Sequence, residues 1–332
     1  MSIRAQTVRE YLDSVNDLFA SRGFTRPVDF GDRASPATVF YENVKTWEKE
    51  PNRRTHITPE FITELRRQAD QDLAGLGPAS AMLDFTLLGR YTGIRLAEYG
   101  QSTQKKIDYY APPVGPKIMK AFRRLDFEFF EVNGRRIMDP ASNAAAVHSV
   151  TICWRVQKNR RNGQKISWII DNRFPLMCPV RAALRIYVRS IELGMKEFEP
   201  MGVYRNKHGR RVFITGTTIT QLFKSIARNV YPDITSQELS QFSAHMIRVS
   251  AAVLLQIADK PADYIKLRLR WEGDSYRVYL RNTSVLAYQH LKANIAEDEV
   301  YKSYLLSAEN LNQATQPPPE VDTGAMGTDV SI

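Results

Sequence analysis

Apolar positions recur at helical spacing along most of this chain. Val8, Tyr11, Leu12, Val15, Leu18 and Phe19 form one stripe, preceded by Thr7-Val8-Arg9-Glu10 in the form of a capping box. A first helix is therefore expected to open at Thr7 and stop at Gly23. A second is expected over about 36–48, with Val39, Phe40, Val44 and Trp47 on its apolar side. The polar, basic stretch 49–56 reads as a linker. Thr58-Pro59 then supplies an N-cap and a proline at N1 for a helix reaching about Asp72. Residues 79–99 form a strongly apolar helix interrupted at Thr92-Gly93, and a short helix restarts near Arg95.

The period changes from 3.6 to 2 over 147–171. VHSVTICWRVQ alternates and is β-branched, KNRRNG is a turn and QKISWII a return strand, which together predict a β-hairpin. Helices resume at about 179–189, 217–229 and 243–258, and again at 283–305 with Val285, Leu286, Tyr288, Leu291 and Ile295 as its apolar side. The tail from 306 is polar, Pro-rich and acidic, and is expected to be disordered. The pattern predicts a mainly α protein with a small β-hairpin or sheet, an α+β class. Its parts are a short helical segment (1–54), a larger domain (55–305) and the tail (306–332).

Charge narrows the partner. The chain has 332 residues and a net charge of +10, while the tail carries four acidic residues and no Lys or Arg. The body is therefore more basic than the whole, which favours a polyanionic partner. No basic amphipathic helix with an aromatic apolar face argues for a membrane surface, and no run approaches the ~18 apolar residues of a membrane span. Two cysteines, Cys153 and Cys178, both in apolar surroundings, fit reduced thiols in an intracellular protein, as does an N-terminus without the apolar core of a secretory signal.

The candidate chemistry centres on residues 243–281. His245 and Arg248 lie three apart at the start of an apolar run, so imidazole and guanidinium share one helix face. Trp271 adds an indole donor, and Tyr276 and Tyr279 add phenols among Arg277 and Arg281. Upstream, the Thr92-Gly93 break places Arg95 at a helix start, where backbone N–H groups favour an anion, and Glu98 is placed to hold one side of its fork. Such a set suits phosphate chemistry without a metal. No Asp/Glu cluster suited to Mg²⁺ and no P-loop is visible, so neither metal nor cofactor is expected.

In that order, T-G-I-R at 92–95 with Glu98, the basic hairpin turn, H-x-x-R at 245–248, Trp271 and Tyr279 resemble the tyrosine recombinase/integrase family, as does CPVRAAL at 178–184. The resemblance spans roughly 57–300, with 5–50 similar to the end of that family's core-binding domain. It implies that 1–54 is a short core-binding segment and 55–305 the catalytic domain. Trp271 stands where many bacterial members have His. Tyr279 lies eight positions after it, one fewer than in many phage and bacterial enzymes, so the pattern looks closest to recombinases of eukaryotic mobile elements of the Crypton or tyrosine-recombinase retroelement type.

The resemblance implies that Arg95 and Arg248 hold the non-bridging oxygens of one DNA phosphodiester. Tyr279 would attack phosphorus to give a 3′-phosphotyrosyl link, and Lys158 would protonate the leaving 5′ oxygen. His245 and Trp271 would support proton transfer and the phosphoryl oxygens. Tyr276 is the competing nucleophile and Lys165, on the return strand, the competing acid. Arg160, Arg161, Lys105 and Lys106 are candidate contacts to the DNA backbone. Double-stranded DNA is the expected partner, bound by a homotetramer, inside the cell and in the nucleus of a eukaryote. A type IB-like topoisomerase, or a DNA-binding protein descended from a mobile element and no longer catalytic, stand as alternatives.

Overall fold

The computed structural model describes residues 5–48, 55–101, 120–157, 161–273, 276, 277 and 280. Expectations for Lys105, Lys106, Lys158, Arg160, Tyr279, the helix over 283–305 and the tail lie outside the described residues. The chain divides into two compact units, Met1–Arg53 and Arg54–Ile332.

The first unit pairs α1 (Ala5–Ser21) with α2 (Pro36–Thr46). Here the capping-box expectation fails. The chain is already helical at Ala5, whose N–H donates to the Glu48 carboxylate, so Thr7 lies inside the helix and not at its cap. The stop at Gly23 stands, with φ +80°. Asn16 is buried and clasps the connecting loop, donating to the Val28 carbonyl at 2.7 Å and accepting from the Val28 N–H at 3.0 Å. Tyr11, Val15, Leu18 and Phe19 of the apolar stripe remain exposed.

In the second unit, α3 (Pro59–Ala69) starts as its sequence dictates: the Thr58 hydroxyl accepts from the Phe61 N–H at 3.3 Å, with Pro59 in the first turn. It buries Phe61, Ile62, Leu65 and Ala69. The next helix, α4 (Pro78–Thr92), is buried nearly all round because α3 and two later helices, α6 (Pro179–Glu192) and α9 (Met246–Ile257), pack on it. Gly89 permits the closest approach: a Cβ there would collide with Ile247 Cγ2 of α9. The short α5 (Leu96–Tyr99) follows.

Strands β1 (Phe127–Phe130), β2 (Arg136–Ile137), β3 (Ser149–Trp154) and β4 (Gln164–Ile169) form one antiparallel sheet in the order β2-β1-β3-β4. The expected hairpin is thus the β3–β4 half of a four-stranded sheet. Alternation decides its faces: Phe127, Phe129, Val150, Ile152, Trp154, Ile166 and Trp168 are buried, while Thr151 and Ser167 hydrogen-bond across the outer face at 2.7 Å. A small hairpin, β5 (Val203–Arg205) and β6 (Arg211–Phe213), precedes α7 (Gly216–Val230) and the single-turn α8 (Ser236–Leu239). After α9 comes α10 (Ala262–Leu269). The fold is α+β, mostly helical with a small antiparallel sheet. Among the described residues no helix is long and apolar enough to cross a membrane.

One buried carboxylate ties α4 to α6. Asp84 accepts from Arg185 Nε at 2.6 Å and from Arg189, whose own Nε donates to the Gly75 carbonyl at 3.0 Å. Asp84→Ala leaves the buried Arg189 cation without its counterion and is expected to destabilise the second unit by about 3–5 kcal/mol. Urea melts of the variant and the parent measure this directly. A loss under about 1 kcal/mol would show the pair to be dispensable.

Candidate functional site in the cleft between alpha5, alpha9 and Trp271

Helix α4 ends because Gly93 turns left-handed (φ +58°) and its N–H closes on the Gly89 carbonyl at 2.7 Å. A Cβ at Gly93 would press on Leu269 Cδ2 at 3.0 Å, so glycine is required for space as well as for φ. The turn places Arg95 at the N-cap of α5. The anion-seeking N–H expected there is already used: Glu98 Oε2 accepts from the Arg95 backbone N–H at 2.9 Å. Its other oxygen holds Arg95 Nη1 at 3.0 Å, as the spacing anticipated, and orients the guanidinium toward the cleft.

His245 occupies the N-cap position of α9 and Arg248 follows in its first turn, both lining the same cleft of about 980 Å³ as Arg95. Arg248 is buried. It donates to the Gly93 carbonyl and, at 3.4 Å, to the Leu269 carbonyl, and its guanidinium lies 4.1 Å from the Trp271 ring centroid. A cation–π contact of this kind fixes the plane of the fork. Tyr99 of α5 reaches the Ala244 carbonyl at 3.3 Å, next to His245, and stacks on Phe85. Burial, with the neighbouring Glu98 charge, pushes its phenol well above the ordinary tyrosine range, so Tyr99 stays a neutral donor.

A residue the sequence reading passed over underlies this arrangement. Arg270 is fully buried, sits left-handed at φ +59° as the C-cap of α10, and lies with its guanidinium 3.8 Å from the Trp154 ring centroid. It donates to the Thr92 carbonyl at 2.8 Å, to Glu98 Oε2 at 3.1 Å and to Gln157 Oε1 at 3.2 Å. Trp154 Nε1 donates to the same Glu98 oxygen at 3.2 Å. Burial pulls the Arg270 pKa down to about 10, which leaves it a cation at neutral pH. Arg248 and Arg270 thus take adjacent carbonyls at the end of α4, where the helix dipole is negative. The signal in sequence was only an Arg beside Trp271, indistinguishable from the many exposed arginines of a basic chain.

The structure therefore brings together Arg95, Glu98, His245, Arg248 and Trp271. Arg161 forms an exposed ion pair with Glu272 at 3.2 Å, which ties the hairpin turn to the residue after Trp271. Lys165 is directed elsewhere: it lies on the outer face of the sheet, paired with Glu128 at 2.9 Å, which raises its pKa. Lys165→Ala is accordingly expected to leave the urea midpoint of the second unit unchanged, since exposed pairs contribute little. A clear fall in that midpoint would overturn the placement. Tyr276 is buried with Ala251, Ala252, Ile265, Leu269 and Trp271, its ring 5.9 Å from that of Trp271.

No family model matches the chain, and no curated protein matches it. Solved structures do. One, described as the crystal structure of XerA recombinase, is 12% identical with a TM-score of 0.40, over 88% of this chain and 83% of its own. Another is the Tn1549 transposon integrase in complex with circular intermediate DNA, 14% identical with a TM-score of 0.42, over 89% of this chain and 80% of its own. A Tyr-to-Phe variant of that integrase in complex with transposon right-end DNA is again 14% identical with a TM-score of 0.42, over 84% of this chain and 75% of its own.

Proposed function

We propose that this chain is a tyrosine recombinase, cutting and rejoining duplex DNA through a covalent 3′-phosphotyrosyl intermediate. The observation that carries the reading is the convergence of two guanidiniums, an imidazole and an indole from three separate elements on one open cleft. Arg95 and Arg248 bind the non-bridging oxygens of one phosphodiester. They stabilise the charge that grows on a pentacoordinate phosphorus, where fixed cationic donors act most strongly. Tyr279 attacks phosphorus and its proton passes to His245. The new bond joins phosphorus to the phenolic oxygen, the bond to the 5′ oxygen breaks, and Lys158 donates the proton that makes the 5′-hydroxyl.

Religation is the same exchange in reverse with a new 5′-hydroxyl. The phosphodiester energy stays in the phosphotyrosyl bond, so no nucleotide is consumed. Strand exchange between two duplexes cuts four strands, one per tyrosine, which assigns four copies of the chain to one complex. The net charge of +10 supplies sequence-independent affinity for the backbone.

The test is covalent capture. Protein is mixed with a pool of nicked suicide duplexes in EDTA, denatured in SDS and digested. The expected result is a 3′-phosphotyrosyl adduct on the peptide containing Tyr279. Salt-sensitive DNA binding with no adduct would identify a binding protein without catalysis. Substoichiometric relaxation of an arbitrary supercoiled plasmid would identify a topoisomerase instead.

A further inference from the structure

We infer that Arg270 is a positioning residue for the proposed cleavage site, holding Glu98, and through it the Arg95 guanidinium, in the orientation that receives the phosphate. The inference rests on the recombinase reading and deepens it. Glu98 is buried and shared: one oxygen takes the Arg95 guanidinium, and the other takes the Arg95 backbone N–H, Trp154 Nε1 and Arg270. Without Arg270, that second oxygen would keep two neutral donors among the described residues, and a buried carboxylate would turn toward whichever cation remained. The nearest is Arg95, whose fork would then be drawn toward the protein and away from the cleft.

The geometry is specific to a guanidinium. Among the described residues, Arg270 donates in three directions, to the end of α4, to Glu98 and to Gln157 at the foot of the hairpin turn, while the flat face lies on Trp154. An ammonium is a point donor and cannot span all three while stacking. The backbone points the same way. A left-handed C-cap favours glycine, and a side chain there is strained. The chain nevertheless places its largest cation at φ +59°. Strain of this kind persists where surrounding contacts over-determine it. Arg270 also precedes Trp271 directly, so one anchored residue sets the indole that stacks on Arg248 as well as the carboxylate that holds Arg95.

Arg270→Gly removes the fork while relieving the backbone, and it leaves a cavity shaped for guanidinium. Single-turnover cleavage at saturating DNA is expected to fall by about 10²-fold, the scale of a misplaced catalytic group, with the Kd for DNA within about threefold. Addition of 20 mM guanidinium chloride, far below denaturing concentration, is expected to restore at least about tenfold of the loss and leave the wild type unchanged. Arg270→Lys keeps the charge and the fold and is expected to cleave about tenfold more slowly. It carries the test if the glycine variant fails to fold. Wild-type rates in either folded variant, a loss confined to Kd, or no guanidinium rescue in a folded glycine variant would overturn the positioning role alone. A wild type that forms no adduct refutes the recombinase reading, and this inference falls with it.

Discussion

Tyr279→Phe is expected to abolish SDS-stable DNA capture and strand exchange while leaving the Kd for DNA within about threefold, since a phosphate-dominated affinity does not depend on one phenol. At pH 7 only about 0.1% of a phenol with pKa ~10 is ionised, a deficit of roughly 4 kcal/mol. Cations fixed around the phosphate offset a cost of that size, but they have nothing to activate once the hydroxyl is gone. The control is Tyr276→Phe, three residues earlier. Tyr276 is 2% exposed and contributes its ring to the cluster around Trp271, so a phenylalanine preserves the packing and capture continues. An undiminished adduct in Tyr279→Phe, or its disappearance in Tyr276→Phe, would move the nucleophile and the assignment with it.

Arg248→Ala should lower the cleavage rate by about 10³-fold, the upper range for loss of one charge-stabilising donor. It acts twice. The cleft loses a cation, and the Gly93 carbonyl at the buried end of α4 loses its donor, which costs roughly 1–3 kcal/mol of stability. Arg248→Lys separates the two effects. The charge remains, but one ammonium cannot serve the Gly93 and Leu269 carbonyls while stacking on Trp271, so stability partly recovers and the rate stays about 10²-fold down. Single-turnover cleavage measured beside a urea melt reads both. A folded Arg248→Ala protein that cleaves within tenfold of the parent would remove Arg248 from the site.

Several elements were written locally and could be read locally. Thr58-Pro59 starts α3 because an N-cap oxygen and a preset φ act within one turn. Thr92-Gly93 ends α4 because only glycine turns left-handed there without strain or collision. Alternation from 149 to 169 gave the β3–β4 hairpin, and spacing put His245 and Arg248 on one face and Glu98 beside Arg95. Elsewhere local rules misled. Thr7 has the pattern of a cap, but the chain is already helical at Ala5, whose N–H meets Glu48 far along the sequence. Strand β1 with its short partner β2 escaped notice because a run such as Phe127–Phe130 carries too few residues to show a period.

The sequence by itself determined which side chains are available for phosphate chemistry and, through helix and strand periods, the direction each takes from its own segment. Only the tertiary structure decided which of them meet. Arg270 reads as one more surface cation until α10 is seen to end against α4, where the Thr92 carbonyl, Glu98 and Trp154 converge. Lys165 reads as a candidate acid until the sheet's outer face pairs it with Glu128. The reason is physical. A side chain's bearing within its own turn or strand is set by neighbours a few residues away, whereas its charge partners and its burial are set by segments that close in space only when the core forms.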